Sequence, residues 1–183
     1  MPHAHTPDHS GAAITMLKVQ PFGESSLILT TPATDINGRL ADRHSAYHDN
    51  LSPPLVWTPV QGAGAYAIIV EDPDAPREQP FVHWLIWNIP GEATSLPEGL
   101  PNEASLGLIG GATQGVNDNG TVGWFGPRPP VGHGVHHYHV QIFALVERLP
   151  FDEKTPLADL VNALKGDALA SDDLIVTYEA AGA

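Results

Sequence analysis

The stretch FVHWLIWNI, residues 81–89, constrains the fold more than any other segment. A half-exposed strand alternates apolar and polar residues; this one is apolar on nearly both faces, so both faces must be covered. It predicts a central strand between two packed layers. Further strand-like runs, Met16–Val19, Ser26–Thr30, Ala65–Glu71 and Tyr138–Val146, are rich in β-branched and aromatic residues and bounded by Pro, Gly, Asn and Asp. Long loops, 31–64 and 90–125, separate them. Eighteen prolines and eighteen glycines favour short strands and many turns over long helices.

Helical signal appears only late. In TPLADLVNALKG, Thr155 is the expected N-cap and Pro156 the first helical position. Leu157, Leu160, Val161 and Leu164 follow at helical spacing, and Gly166 is the expected terminator. A second short helix over Asp167–Ala170 and a last strand, Leu174–Tyr178, complete the reading. The fold expected is mainly β, a sandwich of antiparallel sheets with one or two C-terminal helices. No repeat or linker divides the chain, so 14–183 reads as one domain behind a polar, flexible tail, 1–13. That tail carries His3, His5 and His9. Pro2 lacks the amide proton that an amino-terminal copper site would need.

Charge narrows the partners. Eight basic against 21 acidic residues give a formal charge of −13, a field that repels nucleic acid and anionic membrane surfaces. Any bound anion must be held by a local site. With no cysteine, disulfides, thiolate nucleophiles and cysteine-ligated zinc are excluded. No apolar run approaches the roughly 20 residues of a membrane span, so no stable membrane insertion is expected. The N-terminal segment lacks the apolar centre of a signal peptide, and a cytoplasmic location is the expectation.

Three segments could carry chemistry. In VEDPDAP, 70–76, a strand ends in two carboxylates, Asp72 and Asp74, held in a stiff turn by Pro73 and Pro76. His83 lies inside the apolar central run. GPRPPVGHGVHHYHV, 126–140, joins a glycine-proline loop to a histidine-bearing strand. There, alternation puts His136 and Tyr138 on one face and His137 and His139 on the other. Glycine lets backbone N–H groups approach an oxyanion closely, and proline stiffens the rest, so this loop reads as an anion cradle. An aspartate beside an imidazole would fix its tautomer and favour the cation.

Taken together, NLSPPLVW (50–57), VEDPDAP (70–76), FVHWLIWNIP (81–90), QGVNDNGTVGWFGPRPPVGHGVHHY (114–138) and, more weakly, ALKGDALASDDLIVTY (163–178) resemble the phosphatidylethanolamine-binding protein family, in its bacterial and archaeal Raf-kinase-inhibitor-like branch. The resemblance implies a pocket built from Asp72, His83 and His136, with Asp74 and Tyr138 beside them. It also implies a pocket wall from Gly126, Pro127, Pro129 and Pro130, with Trp124 where relatives often carry tyrosine. Departures occur at His137, where many relatives have arginine, and at Arg128, where bacterial relatives often have cysteine. RHSAYHDN (43–50) replaces a threonine-cysteine-aspartate-glycine run, and Asp167 stands where a histidine is frequent. These changes fall on the expected rim of the pocket.

The function expected is binding of a small anionic or phosphorylated ligand, such as a phospholipid headgroup, without turnover and without a cofactor. A regulatory role toward a protein partner such as a kinase or protease follows from the same resemblance, in a monomer or homodimer. The alternative is an enzyme using the same pocket, either metal-dependent or based on a His/Asp pair. His137 and His139 have a spacing found in cupin-type metal sites, but the resemblance assigns them away from the pocket. No Gly-x-Ser-x-Gly nucleophile elbow occurs.

Overall fold

The computed structural model describes residues 13–182. Its main sheet is built on three long antiparallel strands: β3 (Ala65–Asp72), β4 (Phe81–Pro90) and β8 (His136–Leu145). A fourth, β9 (Ala168–Tyr178), extends it beyond β8, while β7 (Ala112–Gln114) and β6 (Ser105–Leu106) extend it beyond β4. The six run in the order β6-β7-β4-β3-β8-β9. A smaller sheet, order β1-β2-β5, comprises β1 (Leu29–Thr30), β2 (Leu55–Trp57) and β5 (Ser95–Leu96).

Both faces of the main sheet are buried, as the central apolar run demands. Tyr66, Ile68 and Val70 of β3 face the small sheet and pack with Trp84, Ile86, Leu55 and Trp57. Ala65, Ala67 and Ile69 face the opposite way and meet Leu85, Trp87, Phe143 and α1 (Leu157–Asp167), the one α-helix among the described residues. Leu160 and Leu164 of α1 are fully buried in that second layer. Alternate residues of one strand thus feed two separate cores.

Several sequence expectations are corrected. Met16–Val19 is no strand: Thr15–Leu17 form a single 3-10 turn. The backbone N–H of Thr15 donates to Glu71 Oε2 at 2.7 Å and that of Met16 to Gln141 Oε1 at 2.6 Å, so buried side chains take the donors a neighbouring strand would need. The second helix expected over Asp167–Ala170 is absent from this segment. Instead β9 pairs with β8 from Ala168 to Tyr178, and α1 runs into it without a loop. Gly166 lies within α1 rather than ending it, and the N-cap is Pro156 rather than Thr155. Of Ser26–Thr30 only Leu29–Thr30 is strand, and the long loops contain β2, β5, β6 and β7. The expected tail falls outside the described residues except for Ala13. Among the described residues no helix is long and apolar enough to cross a membrane.

Candidate functional site

Strand order positions the site. Because β3 is antiparallel to both β4 and β8, its C-terminal end lies beside the starts of the other two. Asp72 ends β3, Phe81 pairs with it at the start of β4, and His136 opens β8. Register adds a second device. Val70 pairs with Trp84 but Glu71 pairs with Val82, which leaves His83 as the extra residue of a β-bulge. Bulges re-aim side chains, and this one brings His83 onto the side of Tyr138. The rings meet edge to face with centroids 5.1 Å apart.

These residues line a cavity of about 170 Å³. Asp72, His83, His136 and Tyr138 form its polar part. Phe81, Phe125, Pro76 and Ala75 form apolar walls. The glycine-proline loop contributes Arg128, Pro129 and Pro130.

Hydrogen bonding fixes the state of each imidazole. His83 Nδ1 lies 2.6 Å from the carbonyl of Phe125. A carbonyl only accepts, so Nδ1 carries the hydrogen, and the neutral ring presents its Nε2 lone pair. Burial, opposed by the Phe125 bond and by Asp72, pushes the His83 pKa below its ordinary value, so the ring is neutral at physiological pH. His136 is held differently. Its Nδ1 lies 2.7 Å from Asp72 Oδ2, and its Nε2 lies 2.6 Å from Nδ1 of His133. Both nitrogens of His136 are therefore occupied by protein groups, while His83 Nε2 has no hydrogen-bond partner among the described residues. Tyr138 is sealed from solvent, and burial drives its phenol pKa far upward, so the hydroxyl stays protonated. That hydroxyl has no partner among the described residues.

The remaining expected residues lie behind the walls. Asp74 faces the other side of β8, where its Oδ2 accepts from the backbone N–H of His137 at 2.7 Å and lies 2.8 Å from its Nδ1. Trp124 packs edge to face on Trp84, and its indole N–H donates to the His44 carbonyl at 3.0 Å. Gly126 is wedged against residues 44–46: a Cβ there would sit 2.0 Å from the His44 carbonyl oxygen. Pro127 accepts from the backbone N–H of Ala46.

The loop is not a row of free N–H groups. Gly126 N–H donates to Asn50 Oδ1 at 2.7 Å, His133 N–H closes onto the Pro130 carbonyl, and three prolines have no N–H. Of this loop, Arg128, Pro129 and Pro130 line the cavity, and the Arg128 guanidinium rests over the Tyr47 ring at 5.6 Å.

Sequence reasoning did not single out His133, Phe81 or Phe125; Arg128, expected on the rim, is among the lining residues. His133 carried one signal, its place between Gly132 and Gly134, both at positive φ (80° and 86°), in an exposed turn.

Residues 30–179 match the family model described as phosphatidylethanolamine-binding protein. A UPF0098 protein of Methanothermobacter thermautotrophicus is 39% identical over 151 residues, spanning 82% of this chain and 97% of that protein. The UPF0098 protein YbcL of Escherichia coli is 36% identical over 132 residues, 71% of this chain and 72% of that protein. The crystal structure of E. coli YbcL, described as a new member of the mammalian PEBP family, matches with a TM-score of 0.78 at 30% identity, covering 86% of this chain and 100% of that one. A putative phosphatidylethanolamine-binding protein homologue from Chlamydia trachomatis matches with a TM-score of 0.75, also at 30% identity, over 85% and 99% of the two chains.

Proposed function

Because the chain belongs to the phosphatidylethanolamine-binding protein family, we propose that it is a non-enzymatic binder whose cavity takes a small anionic or phosphorylated ligand. The observation that carries this reading is the convergence of Asp72, His83, His136 and Tyr138, from three strands, on one cavity with Arg128 at its edge. Walls of this kind, apolar with a few placed polar groups, are what small-molecule sites have in common. Arg128 supplies the local positive charge that an anion needs on a chain of net charge −13. A role in regulating a protein partner such as a kinase or protease would run through occupancy of this cavity.

Catalysis is the second reading, and the Asp72–His136 pair favours it, since a carboxylate-oriented imidazole is what a general base requires. Against it, the nitrogen that would face a substrate is held by His133. Native mass spectrometry of the purified protein tests the binding reading. A small molecule retained by the wild type and lost from both His83→Ala and His136→Ala supports it. Retention by both variants contradicts it.

A further inference from the structure

We propose that His133 is a phosphoryl-acceptor site on the surface. Its Nε2 is held free and nucleophilic by a hydrogen-bonded chain through His136 to Asp72, and it takes a phosphoryl group from a small donor such as an acyl phosphate or a phosphoramidate. His133 is not among the residues lining the cavity, so this modification is independent of what the cavity binds.

The hydrogen bonds assign each proton of the chain. Asp72 Oδ2 lies 2.7 Å from His136 Nδ1, and a carboxylate only accepts, so that nitrogen carries the hydrogen. The neutral His136 ring then has an acceptor at Nε2. His133 Nδ1, 2.6 Å from that nitrogen, must be the donor. A neutral His133 therefore keeps its hydrogen on Nδ1 and its lone pair on Nε2. Among the described residues nothing bonds to that Nε2, and the residue is exposed.

This is the arrangement an attacking imidazole needs. One nitrogen is free, and the other donates to a group that takes up the charge gained on attack. The turn also supplies donors for the incoming oxygens. Gly132 and Gly134 flank His133 at φ 80° and 86°, and their N–H groups have no acceptor among the described residues. His137 and His139 are also oriented by carboxylates, Asp74 and Asp173, but their side chains stand on the sheet at 27% and 16% exposure. An in-line displacement needs the open approach that the turn gives His133.

The step balances with phosphoramidate as donor. The Nε2 lone pair of His133 forms a bond to phosphorus while the P–N bond of the nitrogen-protonated donor breaks, and its electron pair leaves with ammonia. The His133 ring becomes cationic, and its Nδ1 proton passes to His136 Nε2. Asp72 stabilises the resulting imidazolium without itself taking a proton.

Treatment of the full chain with phosphoramidate, followed by mass mapping in alkali, where phosphohistidine survives, tests the assignment. His133 should react about tenfold or more faster than His48, an exposed histidine without a ring hydrogen bond among the described residues. His133→Ala should lose the fast reaction. Asp72→Asn and His136→Phe should slow His133 by about tenfold and leave the rate at His48 unchanged. Nitrogen-15 spectra of the untreated wild type read the chain without any variant. They should show His133, once neutral, with its hydrogen on Nδ1, the minor tautomer of a free imidazole. A hydrogen on Nε2, a rate at His133 no faster than at His48, or faster reaction at His137 or His139 would overturn the proposal.

Discussion

Nδ1 of His136 lies 2.7 Å from Oδ2 of Asp72, although 64 residues separate them. Both side chains are almost wholly buried, at 2% and 4% exposure, so neither can turn to water if the other is lost. Removing one member of such a pair leaves an uncompensated buried group. Asp72→Ala should therefore destabilise the fold by about 3–5 kcal/mol. Asp72→Asn, which keeps an acceptor oxygen, should lose less. Denaturant midpoints of the two variants, read at unchanged slope, check the ordering.

His83 makes stability depend on pH. Its pKa is lowered in the folded state, chiefly by burial, from an ordinary value of 6.5. Between the folded and unfolded values the unfolded chain binds more protons, so stability rises with pH. This contribution is fully present above about pH 6.5 and is lost as pH falls through the folded pKa. Melting temperature should decline below pH 6.5, and His83→Gln should flatten the decline. His44, also lowered mainly by burial, should retain part of the slope. An unchanged slope in His83→Gln would contradict the assignment.

Legibility in the sequence followed chain chemistry. Asp72, His83, His136 and Tyr138 were readable because each sits in a motif at a strand end. The two-faced burial of the central strand was readable from FVHWLIWNI alone. The bulge at His83 was not, because a bulge depends on register with a partner strand. His133 was hidden because its partner nitrogen belongs to a ring that only the folded strand presents. Asp74, Trp124, Gly126 and Pro127 travel with the same motifs but support the cavity from outside. Local propensity failed at residues 16–19 and 167–170 for one reason: long-range partners, Glu71 with Gln141 in one case and β8 in the other, took the backbone groups.

Asn50 holds the pocket loop in register. It sits at φ 55°, a left-handed conformation that asparagine tolerates, and its Oδ1 accepts the Gly126 N–H at 2.7 Å. Asn50→Ala leaves that N–H unpaired and strains the backbone. A loss of about 1–3 kcal/mol is expected, with faster amide exchange at Gly126. Exchange unchanged at Gly126 would show that the loop is held by other means.

The helix is secured by its buried stripe. Leu160 is fully buried between α1 and the main sheet. Leu160→Ala should cost about 2–5 kcal/mol through the cavity it leaves. Urea unfolding measures it, and a near-zero change would mean that the layer collapses around the gap.

The most direct test of the shared pocket is an NMR titration of the histidine rings with phenyl phosphate, using His139 as an internal control. His139 lies on the opposite face of β8, with its Nδ1 2.8 Å from Asp173. The pocket account predicts that the His83 and His136 ring resonances shift together along one binding curve while those of His139 stay still. Shifts at His139 without His83 and His136, or no shift at any of the three, would contradict it.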